Sequence, residues 1–357
     1  MDRKIYRIID ANINRAREGI RVIEDSFRFI CEKKETADKL RVLRHEISRI
    51  PLFLDLPSVK LLSSRESRKD IGSTRKETKR KGLHGIIASN FSRVEESIRV
   101  LEEYSRILKP QHTSKIKKIR FDLYSLQKEM QLSLYRKTLV SQLGLYIITD
   151  KKIAGKSNEK IVKEALKGGA DTIQLRDKYL SHKKLFDEAK KIRKIIPKNP
   201  ACPDVTSGQA GGKAIFIMND NVDIALCSEA DGVHLGKDDL SVKEAREILG
   251  EDKIIGVSCD NVKEALKAEK DGADYISLGP IFKTTTKKDI PSPLGIKIIK
   301  EARKKLSIPI VAIGGIDREN MSKVLKAGAD SISVISSVLE CKNISARVKN
   351  FKKKYLN

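Results

Sequence analysis

Eight short apolar runs, each followed by a stretch of helical periodicity, occupy the chain from residue 144 onward and restrict its fold more than any other feature. They lie at 144–150 (GLYIITD), 172–178, 214–220, 232–237, 254–259, 275–280, 310–315 and 331–337. Parallel neighbours need a crossover of a dozen or more residues, and a helix supplies it. Eight such units predict an α/β fold, a (β/α)8 TIM barrel. A quieter repeat agrees: GGAD at 168–171, DGAD at 271–274 and AGAD at 327–330 each close an amphipathic helix on glycine and open the next strand.

Parallel strands in a barrel all end on one face, and chemistry is done there. The strand ends carry Gln174, Arg176, Lys178, Asn219, Asp220, Asp239, Ser258, the loop KTTTKK at 283–288, Gly314–Gly315 and Ile335–Ser336. Gln174, Arg176 and Lys178 alternate along one strand, so they point the same way, and unpaired burial of two cations would be costly. Asp220 and Asp239 follow the two strands of one strand–helix–strand unit, which lets them face a single site. Oxygen-only ligands of this kind suit Mg²⁺, which completes its shell with waters and substrate phosphates. The competing reading gives each Asp a helix-capping role. The paired glycines after strand seven and Ile335–Ser336 at strand eight match the place where such barrels bind phosphate through backbone N–H groups. Cations and metal-binding carboxylates on one rim predict a polyphosphate ligand.

Residues 1–141 follow another rule. Ile9, Ile13, Ala16, Ile20, Ile23 and Phe27 recur at three- and four-residue steps, the period of an amphipathic helix. The segment NINRAREGIRVIED at 12–25 returns as NFSRVEESIRVLEE at 90–103, and each copy precedes a second helical stretch, at 37–49 and 115–135. Two helical hairpins related by duplication predict an all-α domain over 1–141, ahead of the barrel at 142–357. Asn12, Arg15 and Glu18, like Asn90, Arg93 and Glu96, share one helical stripe, best read as an intrahelical salt-bridge ladder. Between the copies lies a basic, glycine-containing segment, either a solvated linker or a phosphate cradle using Arg65 or Arg68.

Lys and Arg total 73 against 48 Asp and Glu, a net charge of +25. That balance raises a basic RNA-binding or scaffolding protein as an alternative. Yet the basic residues are spread over many helix faces, there is no Trp, and aromatics are not interleaved with them as on a base-stacking platform. No nucleic-acid partner is expected. The five cysteines form no C-x-x-C pair and have no His at zinc spacing, so they read as reduced thiols. No run approaches ~18 apolar residues and the start lacks a leader's apolar core, so neither membrane nor secretion is expected and the cytoplasm is the default.

The motifs QLRDK, IMND, HLGKDD, GVS, GPIFKTTTKK, AIGGI and VISS follow one another between 144 and 339 in the order found in thiamin-phosphate synthases, which this part of the chain resembles. That family joins 4-amino-2-methyl-5-hydroxymethylpyrimidine diphosphate to the phosphate ester of 4-methyl-5-(2-hydroxyethyl)thiazole, giving thiamin phosphate and pyrophosphate. The resemblance implies that Asp220 and Asp239 hold Mg²⁺ against the diphosphate, with Arg176, Lys178, Asn219 and Lys287 contacting the pyrimidine diphosphate. It implies that Gln174 orients the pyrimidine ring, that Ser258 sits near the leaving group, and that Thr284 and Thr286 help bind phosphate. Gly315, Ile335 and Ser336 would hold the thiazole phosphate, and Arg176, Ser258 and Lys287 are the expected catalytic residues. The partners implied are the two small-molecule substrates, with a homo-oligomer allowed. A related thiazole tautomerase is the alternative within the same family group. The segment 197–213 is longer than the family's usual turn and is expected to be a surface loop opposite the site. The helical front resembles a module fused ahead of some of these synthases and proposed to be a hydroxymethylpyrimidine phosphate kinase, although no Walker G-x-x-x-x-G-K-[ST] is present.

Overall fold

The computed structural model describes residues 2–66, 82–198, 214–284 and 292–356. It forms two compact units that divide at Leu134/Tyr135, rather than at the expected 141/142.

The first unit is helical. Its elements are α1 (Asp2–Asp25), continued by a π-helical turn (Ser26–Ile30), α2 (Lys34–Ser48), the short α3 (Ile50–Phe53) and α4 (Ser58–Ser63), then α5 (Gly82–Leu108) and α6 (Thr113–Val140), which crosses the division. The apolar stripe read from the sequence is the core: Ile9, Ala16, Ile20 and Ile23 of α1 are fully buried in one cluster with Phe91, Val94, Ile98 and Leu101 of α5. Both copies of the repeat fold alike. Asn12 and Asn90 each turn their amide N–H onto the carbonyl four residues back, Ile8 and Ile86, both at 2.8 Å. The ion-pair ladder stands elsewhere than expected. Among the described residues it joins Arg21, Glu24 and Arg44 in one copy and Arg99, Glu102 and Arg120 in the other, rather than Arg15 to Glu18 and Arg93 to Glu96. Glu24 and Glu102 are the buried members, so a cation from the following helix is needed to pair them, and the i, i+4 rule alone does not supply it. Arg65 grips Asp10 through two nitrogens at 2.6 and 2.9 Å; Arg68 lies outside the described residues.

The second unit is a closed barrel of eight parallel strands in sequential order. Its strands are β1 (Leu145–Ile148), β2 (Thr172–Leu175), β3 (Ile215–Asn219), β4 (Gly232–Leu235), β5 (Ile254–Cys259), β6 (Tyr275–Leu278), β7 (Ile310–Ile313) and β8 (Ser331–Val334). The connecting helices are α7 (Lys151–Ala154), α8 (Asn158–Lys167), α9 (His182–Ile195), α10 (Val222–Cys227), α11 (Val242–Leu249), α12 (Val262–Lys270), α13 (Lys297–Arg303), α14 (Met321–Lys326), α15 (Ser336–Leu339) and the closing α16 (Ile344–Leu356).

Strand alternation splits the apolar residues into two sets. Outward ones such as Ile147, Ile173, Phe216, Val233 and Ile276 pack under the helices. Inward ones, Tyr146, Ile148, Ile215, Ile217, Ile254, Tyr275 and Val311, fill the barrel, closed at its N-terminal end by Leu139, Val140 and Leu143. A tyrosine of this size fits because its β5 neighbour in register, Gly256, has no side chain; a Cβ there would lie 2.0 Å from Cζ of Tyr275.

The G-A-D repeat proves to be a strand anchor. Its aspartates, Asp171, Asp274 and Asp330, accept hydrogen bonds from the backbone N–H of Leu145, Ile255 and Ile310 on the preceding strand, at 2.7 to 2.9 Å. Asp231 does the same for Phe216 at 2.8 Å, which reveals SEAD at 228–231 as a fourth copy. In three copies the second residue is a glycine with φ between 92° and 108°; in the fourth it is Glu229, at φ 59°.

Candidate active site

The C-terminal ends of the strands surround a cavity of 490 Å³. Each strand delivers side chains with the period of two, so Gln174 at the end of β2 and Arg176 and Lys178 just beyond it line the same wall. Asn219 and Asp220 follow β3, Asp239 follows β4, and Ser258 stands on β5. Thr284, Gly315, Ile335 and Ser336 complete the opposite side. Eleven of the thirteen site residues expected from the sequence therefore meet in one cavity. The other two, Thr286 and Lys287, lie outside the described residues, as does 199–213 of the long segment before β3.

Asp220 and Asp239 are within hydrogen-bonding reach of one another. Burial first, and then the neighbouring Asp239 carboxylate, push the Asp220 carboxyl up to about 6, while Lys178 and Arg176 pull it back only in part. Asp220 also holds a left-handed backbone, φ 62°, its N–H donating to the His234 carbonyl at 2.9 Å. Such a conformation in a non-glycine residue is strained and persists only where the surroundings enforce it. Asp239 is fixed by the N–H of Gly236 at 2.6 Å. Two crowded carboxylates offer oxygen ligands only and too few to fill a shell, and among the described residues no cluster of three or more His, Cys, Asp or Glu could hold a metal unaided. These donors fit Mg²⁺, whose remaining positions go to water and phosphate oxygens.

Arg176 is braced before any ligand arrives. Its guanidinium donates to Asp150 at 3.0 Å and its backbone N–H to the Thr149 hydroxyl at 3.1 Å. Sequence reading passed over Asp150, which also caps α7 through the N–H groups of Lys152 and Ile153. It likewise passed over Tyr146, His234 and Tyr275, since two tyrosines and a histidine within apolar runs look like core. Alternation could have found them: each lies in phase with inward-facing residues of its strand, as Gln174 does.

A closed parallel barrel whose mouth carries paired carboxylates beside two cations defines the class: a (β/α)8-barrel enzyme. A family model described as thiamine monophosphate synthase matches residues 145–338, and one for the ThiD2 family matches residues 7–129. The chain belongs to the thiamine monophosphate synthase family. It is 36% identical over 342 residues to a thiamine-phosphate synthase of Synechocystis sp., covering 95% of this chain and 93% of that protein. It is 38% identical over 345 residues to one of Prochlorococcus marinus, covering 95% and 92%. The solved thiamine phosphate pyrophosphorylase from Pyrococcus furiosus superposes with a TM-score of 0.53 at 35% identity, over 61% of this chain and 98% of that one. No helix among the described residues is long and apolar enough to cross a membrane.

Proposed function

We propose that the barrel joins the aminopyrimidine diphosphate to the thiazole phosphate, releasing pyrophosphate and forming thiamin phosphate. The observation that carries this reading is the crowded Asp220–Asp239 pair beside Arg176 and Lys178 in one cavity with Gly315 and Ser336 across from it. The C–O bond between the pyrimidine methylene and the diphosphate breaks, and the thiazole nitrogen donates its electron pair to that carbon. Arg176, held in place by Asp150, and Lys178 meet the negative charge that grows on the leaving oxygen; preorganised cations favour that charge over the ground state. Asn219 from β3 and Ser258 from β5 add hydrogen bonds within the same cavity, and Lys287 is assigned to the diphosphate by resemblance. Mg²⁺ on Asp220 and Asp239 would further neutralise the departing diphosphate. Gly315, Ile335 and Ser336 are assigned to the thiazole phosphate, and the threonines Thr284 and Thr286 to binding phosphate groups. No protein nucleophile is called for, because the thiazole nitrogen is the nucleophile. A tautomerase would need only proton transfer, with no leaving diphosphate for Arg176 and Lys178 to neutralise.

Purified protein given both substrates and Mg²⁺ is expected to form thiamin phosphate and pyrophosphate in equal amounts, and Asp220→Ala to lower the rate at least 100-fold while staying folded. Absence of product from the folded unmodified protein would overturn the reading. For the helical unit we propose hydroxymethylpyrimidine phosphate kinase activity, supported by the ThiD2 match. Replacing the diphosphate substrate by hydroxymethylpyrimidine phosphate and ATP should then still yield thiamin phosphate. The cytoplasm is the compartment we infer, supported by Cys227, Cys259 and Cys341 standing as reduced thiols among the described residues.

A further inference from the structure

Five side chains cross the barrel interior in one unbroken hydrogen-bonded chain. The Gln174 amide Nε2 donates to the Tyr146 hydroxyl at 2.8 Å, and the Tyr146 hydroxyl meets that of Tyr275 at 3.0 Å. The Tyr275 hydroxyl meets His234 Nδ1 at 3.0 Å, and His234 Nε2 meets Ser258 Oγ at 3.0 Å. His234 lies stacked on Tyr275, with ring centroids 5.5 Å apart. All five line the floor of the cavity, with Gln174 and Ser258 at the two ends of the chain.

With the Gln174 amide nitrogen as the donor at one end, counting protons sets the direction of the chain. Burial holds both phenols well above their usual range, so each keeps its single proton. Tyr146 accepts from Gln174, and its own proton therefore goes to the Tyr275 oxygen. The Tyr275 proton then goes to His234 Nδ1, which makes Nδ1 the acceptor and leaves the imidazole proton on Nε2. That proton goes to Ser258 Oγ, and the serine's own proton is left for the cavity. The reversed chain would have Tyr146 accept twice and leave its own proton without an acceptor in the chain, a costly unmade hydrogen bond for a side chain that is almost wholly buried.

We propose that Tyr275 and His234 are positioning residues: they hold the Gln174 amide with its oxygen left for the exocyclic amine of an aminopyrimidine, and they turn the Ser258 hydroxyl into the cavity as a donor. The proposal rests on the proposed synthase reaction for the identity of the ligand, and on the hydrogen-bonded chain alone for the polarity. A relay of this kind gives the site a donor and an acceptor of fixed sense at opposite ends, so the pyrimidine enters in one orientation. The thiazole phosphate side takes no part.

Two measurements on the full chain test it. The first is the ¹⁵N spectrum of histidine-labelled protein without substrate, with the His234 signal assigned from a His234→Gln variant. A neutral ring protonated on Nε2 is expected; a ring protonated on Nδ1 would overturn the assigned direction. The second compares steady-state constants for Tyr275→Phe, which removes one hydroxyl and keeps the ring. KM for the pyrimidine diphosphate is expected to rise about tenfold, with KM for the thiazole phosphate within twofold of the parent and the folded state intact by thermal melting. An equal change in both KM values, or no change in either, would overturn the positioning role. Failure of the unmodified protein to couple the substrates would instead overturn the proposed function, and the nitrogen spectrum would still decide the direction of the relay.

Discussion

Asp220 shows how one residue can be badly placed for stability and well placed for chemistry. Its carboxyl is raised to about 6 from 3.8, chiefly by burial and by Asp239, so the folded protein favours the protonated form. A raised carboxyl gives stability that is present below the unfolded value and is lost as pH climbs through about 6. The metal-free protein should therefore be weakest, as far as this residue is concerned, above pH 6. Asp220→Asn is expected to resist urea better than the parent at pH 7.5 by about 1–2 kcal/mol, a figure discounted for the solvent reaching the carboxylates, with the gain fading towards pH 4. Mg²⁺ should stabilise the parent and leave the variant unmoved. The charged members of this site were legible in the sequence because Arg, Lys and Asp at strand ends are conspicuous against apolar runs. Tyr146, His234 and Tyr275 were not, because a polar tip on a buried ring leaves no mark in a hydropathy pattern. Their function depends on pairing across strands far apart in sequence.

At the scale of elements, the strand anchors and the barrel filling make separate predictions. Glu229 occupies the left-handed position that glycine holds in the other three copies of the repeat, with φ 59°. Glu229→Gly is expected to raise the melting temperature by about 2 °C, since the strain it relieves exceeds the freedom it gives the unfolded chain. Gly256→Ala should act the opposite way. Its Cβ would fall 2.0 Å from the Tyr275 ring inside a closed barrel that has no room to give, and a urea titration should show a loss of about 3 kcal/mol. All eight strands and their order were readable from alternating runs and crossover lengths. The anchoring role of the aspartates was not, because it is made by a hydrogen bond to the neighbouring strand, and the fourth copy was hidden by a glutamate standing in the glycine's place.

At the scale of the whole molecule, the described residues form three apolar clusters, one drawn from residues between Ile5 and Leu134 and two, inside the barrel and under its helices, from Leu139 onward. Phe91 is fully buried in the first. Phe91→Ala should cost the helical unit about 3–5 kcal/mol, read by hydrogen exchange, and leave coupling of ready-made pyrimidine diphosphate to thiazole phosphate at the parent rate. The division into a helical front and a barrel could be read from the change in hydrophobic period. Its position inside α6 could not, since that helix keeps one continuous pattern across it. Everything proposed for the barrel depends on a divalent ion and a diphosphate meeting at the mouth. The direct measurement is a crystal structure of the protein soaked with Mn²⁺ and pyrophosphate, read by anomalous scattering. The account predicts one manganese peak within bonding distance of both Asp220 and Asp239, bridged to pyrophosphate oxygens beside Arg176 and Lys178; pyrophosphate bound there with no metal on either carboxylate would contradict it.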